Sequence, residues 1–137
     1  MAHTIGKCPR CGRNVDWRVG QSIGVRDQLV WSRSMRCQSC GQQLEEDYEG
    51  MPPAWAREAL LARNGTWRIV LALDADRLRA AATLRALLRL GLKETTGLVR
   101  SKSSTLWSGT QVECMWLAKH LRALGIETVV EKQQDPK

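Results

Sequence analysis

The 137-residue chain carries 21 Lys and Arg against 14 Asp and Glu, a net charge of +7, with 43% hydrophobic residues. That is the composition of a globular protein, enough for one ordinary domain or two very small ones. No window approaches the ~20 apolar residues of a membrane span and "MAHTIGKCPR" has no apolar signal-peptide core, so a soluble cytoplasmic protein without membrane partners is expected.

Residues 1–50 read as a small β zinc ribbon. Four of the five cysteines fall in two knuckles, "CPRCG" (Cys8, Cys11) and "CQSCG" (Cys37, Cys40). A C-x-x-C sets two thiolates on one tight turn, and the glycine behind it takes the positive φ that the turn needs. Two such turns make the tetrahedral sulfur cage that zinc prefers, and an iron centre uses the same ligands. With sulfur at all four positions no place is left for a catalytic water, so the metal is structural. Two disulfides would require an oxidising compartment, and a redox C-x-x-C would want a neighbouring βαβ unit, which follows neither knuckle. The gap between the knuckles suits a hairpin, with "NVDWRVG" and "QLVWSRSMR" as strands and "GVRDQ" near the turn. His3 precedes all this, in a terminus expected to fray. Trp17 beside Arg18, and Trp31 two before Arg33, put an aromatic next to a cation on a basic sheet, a pattern that stacks bases and neutralises phosphates. The competing expectation is that both tryptophans form the ribbon's small core.

Residues 51–66 read as a helical linker. Pro52-Pro53 opens and Asn64-Gly65 closes a helix from Ala54 to Arg63, with Trp55, Ala56, Ala59 and Leu60 at helical spacing.

Residues 67–133 read as an α+β domain, followed by a tail, 134–137. "TWRIVLALD" alternates, with Trp67, Ile69, Leu71 and Leu73 on one face of a strand. Asp74 is the expected cap of the next helix, with Asp76 in its first turn. That helix sets Ala80, Leu84, Leu87 and Gly91 on one line, and Arg79, Arg85 and Arg89 with Ala82 and Ala86 on the far side. Gly91 is expected to end it with a positive φ. A second short helix, Lys93 to Arg100, brings Leu98 and Val99 back to the core. "TLW" (Thr105 to Trp107) is a short strand, and "TQVE" a capping box in which Thr110 caps and Glu113 reaches back. Cys114, Leu117, Leu121 and Leu124 share one face of the last helix; Val112, Trp116 and Ala123 share another. Gly125 stops it and "IETVV" is the final strand, giving the order β-α-α-β-α-β.

The string "RLGLKETTGLV", then "SGT", a helix and "LRALGIETVVEK", resembles the C-terminal domain of the bacterial ribosomal stalk protein. Leu90, Gly91, Leu92, Lys93, Glu94, Leu98, Val99, Gly109, Leu117, Lys119, Leu121 and Gly125 carry the resemblance, which covers Trp67 to Lys132. It implies helices packed on a three-stranded antiparallel sheet, with a Gly-Leu corner between the first two helices. In that family the first helix and the corner dock translational GTPases, and Arg85 and Lys93 fall on basic positions of the docking surface. Ala82 and Thr96 stand where the family usually has lysine, Arg89 replaces the first glycine of the corner, and a zinc ribbon replaces the stalk's N-terminal dimerisation helices. The N-end-rule protease adaptor is similar in fold, but its acidic peptide-binding residues have no counterpart here.

No P-loop, dinucleotide-binding glycine turn or paired helical carboxylates occur, and His3 and His120 are the only imidazoles. Cys114 reads as a buried thiol, so a non-enzyme with no small-molecule substrate is expected. Three functions stay open. The first is a zinc-binding protein-interaction module, translation- or ribosome-associated, that holds a translational GTPase or another cytoplasmic protein on Arg79, Arg85, Arg89 and Lys93. The second is a nucleic-acid-binding protein using Trp17, Arg18, Trp31 and Arg33 with the arginine face. The third is an inhibitor or toxin-immunity protein, against which the positive charge counts.

Overall fold

Two antiparallel sheets organise residues 1–134, the part described by the computed structural model; residues 135–137 of the expected tail lie outside it. The chain divides into Met1–Asn64 and a second unit that begins at Gly65.

The first sheet has the order β1-β2-β3-β4, from β1 (Ala2–Lys7), β2 (Asn14–Ile23), β3 (Leu29–Arg36) and β4 (Gln43–Glu49). β2 and β3 are the expected hairpin, closed at Gly24 and Gln28 by a 2.7 Å backbone hydrogen bond. The outer strands extend what the sequence showed. The terminus expected to fray is β1, in which His3 pairs with Arg18 and its Nδ1 lies 2.8 Å from Asp16 Oδ2. β4 is acidic, and Glu45, Asp47 and Glu49 line one side of this edge strand, where charge discourages pairing with a further strand. Strand residues alternate between faces, so Val15, Trp17 and Val19 of β2 and Leu29, Trp31 and Met35 of β3 all turn to one buried side.

α1 (Ala54–Asn64) covers one end of that side. Its Ala56, Ala59 and Leu60 pack with Ala2, Val19, Trp31 and Tyr48. The alanines let the helix backbone come close, and Leu60 and Val19 each contribute ~1.5–3 kcal/mol through burial. Three indoles meet here: Trp55 lies 6.3 Å from Trp17 and 6.0 Å from Trp31, while Trp31 stacks on Tyr48 at 4.7 Å. The helix is thus a layer of the first unit, inside its boundary at Asn64. The indole of Trp17 also crosses β1 so closely that a Cβ on Gly6 would sit 2.6 Å from its Cδ1.

The second unit follows the expected order: β5 (Trp67–Leu71), α2 (Arg77–Leu88), α3 (Leu92–Arg100), β6 (Thr105–Gly109), α4 (Gln111–Ala123) and β7 (Thr128–Lys132). The strands form an antiparallel sheet in the order β6-β5-β7, so the fold class is α+β. Ile69 and Leu71 of the sheet are buried with Ala80, Ala81 and Leu84 of α2 and Cys114, Leu117, Ala118 and Leu121 of α4. The capping box is present, with Thr110 Oγ1 accepting from Glu113 N–H at 3.1 Å and Glu113 fully buried.

Four local expectations are corrected. β5 stops at Leu71, so Leu73 does not continue its inner face and is fully exposed. The cap of α2 is Asp76, not Asp74; its Oδ1 accepts from Arg79 N–H at 3.1 Å. Leu124 lies past the end of α4 and is 42% exposed, because the helix has turned away from the core by then. Gly91 does not have a positive φ. It sits at φ −72°, ψ 168° in front of α3, and the left-handed residue is Arg89, at φ 56°, ψ 46°. One left-handed residue directly after α2 suffices to turn the chain, with the N–H groups of Arg89 and Leu90 both directed to Arg85 O.

Candidate metal centre and basic helical face

Each C-x-x-C knuckle joins two antiparallel strands, and both are tied the same way. Cys8 N–H donates to Arg13 O at 2.8 Å and Gly12 N–H to Cys8 O at 2.9 Å; Cys37 N–H donates to Gln42 O at 2.8 Å and Gly41 N–H to Cys37 O at 2.9 Å. Gly12 and Gly41, at φ 76° and 78°, take the left-handed conformation that the second bond of each pair requires. The sheet brings the knuckles together: all four sulfurs lie within 4.8 Å of one another, with Cys8–Cys40 at 3.7 Å and Cys11–Cys37 at 3.5 Å. A tetrahedral ion with metal–sulfur bonds of ~2.3 Å needs sulfur–sulfur edges of about 3.8 Å, so the four cysteines can hold a metal ion. None of the five cysteines forms a disulfide.

Backbone donors lower the pKa of two of these sulfurs. Cys37 is lowered to about 6, chiefly by the Cys40 backbone N–H and then, against the effect of burial, by that of Ser39. Cys8 is lowered likewise by the backbone N–H groups of Cys11 and Arg10. Cys40 goes the other way, to about 11: the Gln42 N–H pulls it down, but burial and the neighbouring sulfurs of Cys8, Cys37 and Cys11 outweigh it. Four sulfurs this close cannot all carry charge without a cation among them. Val15, Trp17, Met35 and Leu44 pack against Cys8, Cys37 and Cys40, while Cys11 stays exposed.

The expected base-stacking quartet does not form one surface. Trp17 and Trp31 are 5% and 8% exposed, because the alternation of β2 and β3 turns both indoles inward. Arg33 follows them; its guanidinium stands 4.8 Å above the Trp17 ring and pairs with Glu46 at 3.0 Å. Glu46 also accepts from Tyr48 Oη, and that bond, with Arg33, holds the carboxyl below its ordinary range. Arg18 alone is exposed, on the opposite face of the sheet, beside a shallow groove of about 800 Å³ that Arg36, Asp16 and Glu45 also line. Aromatics and a free cation are therefore not side by side.

The arginine face fares differently. Arg79, Arg85 and Arg89, with Ala82 and Ala86 between them, are all exposed, as is Lys93 on α3. α2 has no acidic residue, and the single acid of α4 is the buried Glu113 of the capping box. A groove of about 460 Å³ runs between α2 and α4, lined by Ala82, Thr83, Ala86, Leu87, Ala123 and Leu124 together with Arg79 and His120.

A third arginine of α2 escaped the sequence reading. Arg77 reaches out of the helix to donate to Leu98 O at 2.6 Å, Ser103 O at 2.5 Å and Thr105 O at 3.4 Å. It fastens the end of α3 and the start of β6 to α2. Its sequence neighbourhood carries no sign of this, since all three acceptors are main-chain carbonyls more than twenty residues away.

Compared with known protein families, curated proteins and solved structures, the chain matches none. Among the described residues, no helix is long and apolar enough to cross a membrane.

Proposed function

We propose that the chain is a non-enzymatic protein-interaction module of the cytoplasm, in which a structural zinc ion folds the first unit and the second unit holds a protein partner. Zinc is the ion that four thiolates at tetrahedral spacing suit best, and a reducing compartment keeps such thiolates available. The observation that carries the interaction reading is the uncompensated positive face of α2, where exposed arginines alternate with alanines. Small residues let another surface approach, and guanidinium groups give directed hydrogen bonds to carboxylates. The stalk-like resemblance points the same way: its docking helix corresponds to α2, its corner to Arg89–Leu92, and a translation- or ribosome-associated partner follows from it. Burial of Trp17 and Trp31 takes the stacking platform from the nucleic-acid reading, and the net charge of +7 weighs against the inhibitor reading.

Reversing Arg85 and Arg89 to Glu tests the proposal, since exposed charges of this kind contribute only ~0–1 kcal/mol to stability. The double variant is expected to keep its melting temperature within a few degrees and to lose the protein that the wild type captures from its own cell lysate. Capture that survives the reversal places the partner elsewhere.

A further inference from the structure

The groove between α2 and α4 has a composition that specifies more than a general surface. On α2 it runs from Arg79 to Leu87, about 12 Å of helix at ~1.5 Å per residue. Its lining is methyl and methylene carbon from Ala82, Ala86, Leu87, Ala123 and Leu124, and Leu124 is 42% exposed. Every exposed charged side chain on the two helices that flank it is positive: Arg79 and Arg85 on α2, Lys119 and Arg122 on α4, with Arg89 at the end of α2. An apolar slot about two turns long, with Arg79 in its wall and only positive charge exposed on the two helices that form it, complements one kind of occupant, a chain segment with apolar residues on one side and carboxylates on the other.

We infer that this groove is the docking site for an acidic amphipathic helix of a partner protein, seated with one or two aliphatic side chains against Ala82, Ala86 and Ala123 and with its carboxylates toward Arg79 and the exposed arginines of α2. The inference rests on the protein-interaction reading and narrows it to a place and a chemistry. The alanine walls act as the receptor for apolar anchors, which supply most of the binding energy, while the arginines set orientation and encounter rate. A purely acidic segment gains only the second contribution and binds weakly at physiological salt.

The test uses the full chain, labelled with ¹⁵N, and a synthetic helical peptide with glutamates on one face and leucines on the other. Titration is expected to shift the amide signals of Ala82, Ala86 and Ala123 first. Ala86→Glu and Ala123→Glu, at exposed positions on opposite walls, are expected to weaken binding about tenfold or more by placing like charge in the slot. A peptide of the same composition with its leucines scattered is expected to bind at least about tenfold more weakly, because its anchors no longer share one face. The inference is overturned if the scattered peptide binds as well, if the shifts fall outside α2 and α4, or if an oligouridylate RNA takes the groove and the peptide does not. A natural protein partner that Arg85→Glu/Arg89→Glu releases but Ala86→Glu and Ala123→Glu retain overturns the groove alone. Capture of RNA with no protein partner overturns the interaction reading as well.

Discussion

The two units solve the problem of a small core in different ways. The largest side chains withdrawn almost wholly from water are Ile69, Leu84, Leu106, Leu117, Leu121, Glu113, Val19 and Cys114, and only Val19 belongs to the first unit. The second unit closes its helices over its sheet with aliphatic residues. The first has a one-layer sheet, one short helix and a cluster of indoles, and its far end is closed by four cysteines instead of a second layer. A unit of that size rarely stands on its apolar core alone and is commonly stapled by a metal or by disulfides. The four-cysteine site and the cluster under α1 are thus two neighbouring parts of the first unit's interior, linked by Trp17, which packs beside the cysteines on one side and faces Trp55 of α1 on the other.

The sharpest test of this contrast is removal of the metal. In small metal-bound modules the binding energy is folding energy, on the order of 10 kcal/mol for zinc at four cysteines. Purified protein is expected to yield one zinc per chain by elemental analysis. Chelation or Cys37→Ser is expected to collapse the NMR signals of β1 to β4 while those of Ile69, Leu84 and Leu117 keep their positions. Protein that contains neither zinc nor iron, or a first unit that stays folded without them, breaks the comparison.

A second variant probes the aromatic part of the same interior. Gly6→Val puts a Cβ where the structure leaves 2.6 Å to the Trp17 ring, so the indole has to move out of its packing against Met35 and the cysteines. Overpacking of that kind costs ~1–3 kcal/mol, and displaced packing around the cage adds to it. The expected outcome is a lower melting temperature for the first unit together with faster metal loss to a chelator. An unchanged rate of loss shows that the indole and the cage are independent.

How far the sequence revealed all this depends on where the information is stored. The C-x-x-C pairs and the β-α-α-β-α-β order were legible, because ligand spacing and hydrophobic periodicity are local signals. The inward turn of Trp17 and Trp31 was legible too: the expectation that both form the ribbon's core holds, and the Val15-Trp17-Val19 and Leu29-Trp31 alternation carries it. β1 and β4 were obscure because edge strands with Gly6, His3 and a run of acids carry few apolar residues to count. Arg77 was invisible for a different reason: its acceptors are carbonyls brought near only by the folded chain. In the second unit, where aliphatic burial does most of the holding, Arg77→Ala is therefore expected to cost ~1–3 kcal/mol, since carbonyls of residues 98, 103 and 105 lose their donor. Differential scanning of the second transition measures this, and Arg77→Lys, with a single point charge and no fork, is expected to recover only part of it.

The smallest expected effect concerns the corner between α2 and α3, where the sequence suggested glycine strain at the wrong residue. Gly91 lies at a φ that every residue can adopt, and the nearest atom a Cβ would meet there is Glu94 Oε1 at 3.8 Å, an ordinary contact. Arg89 carries the left-handed conformation instead, which disfavours a side chain with a Cβ by roughly 1–2 kcal/mol. Arg89→Gly relieves that strain but adds backbone freedom to the unfolded chain, so the net gain is expected to be about 0.5–1 kcal/mol. Gly91→Ala is expected to be neutral or slightly stabilising, since it restricts the unfolded chain and strains nothing in the folded one. The pair separates two explanations of the corner in one experiment. If Gly91→Ala lowers the melting temperature of the second unit and Arg89→Gly does not raise it, the turn depends on Gly91 after all. If the signs come out as expected, the arginine at this corner is kept at a cost to stability, and its exposed guanidinium at the end of α2 is the feature that the strain supports.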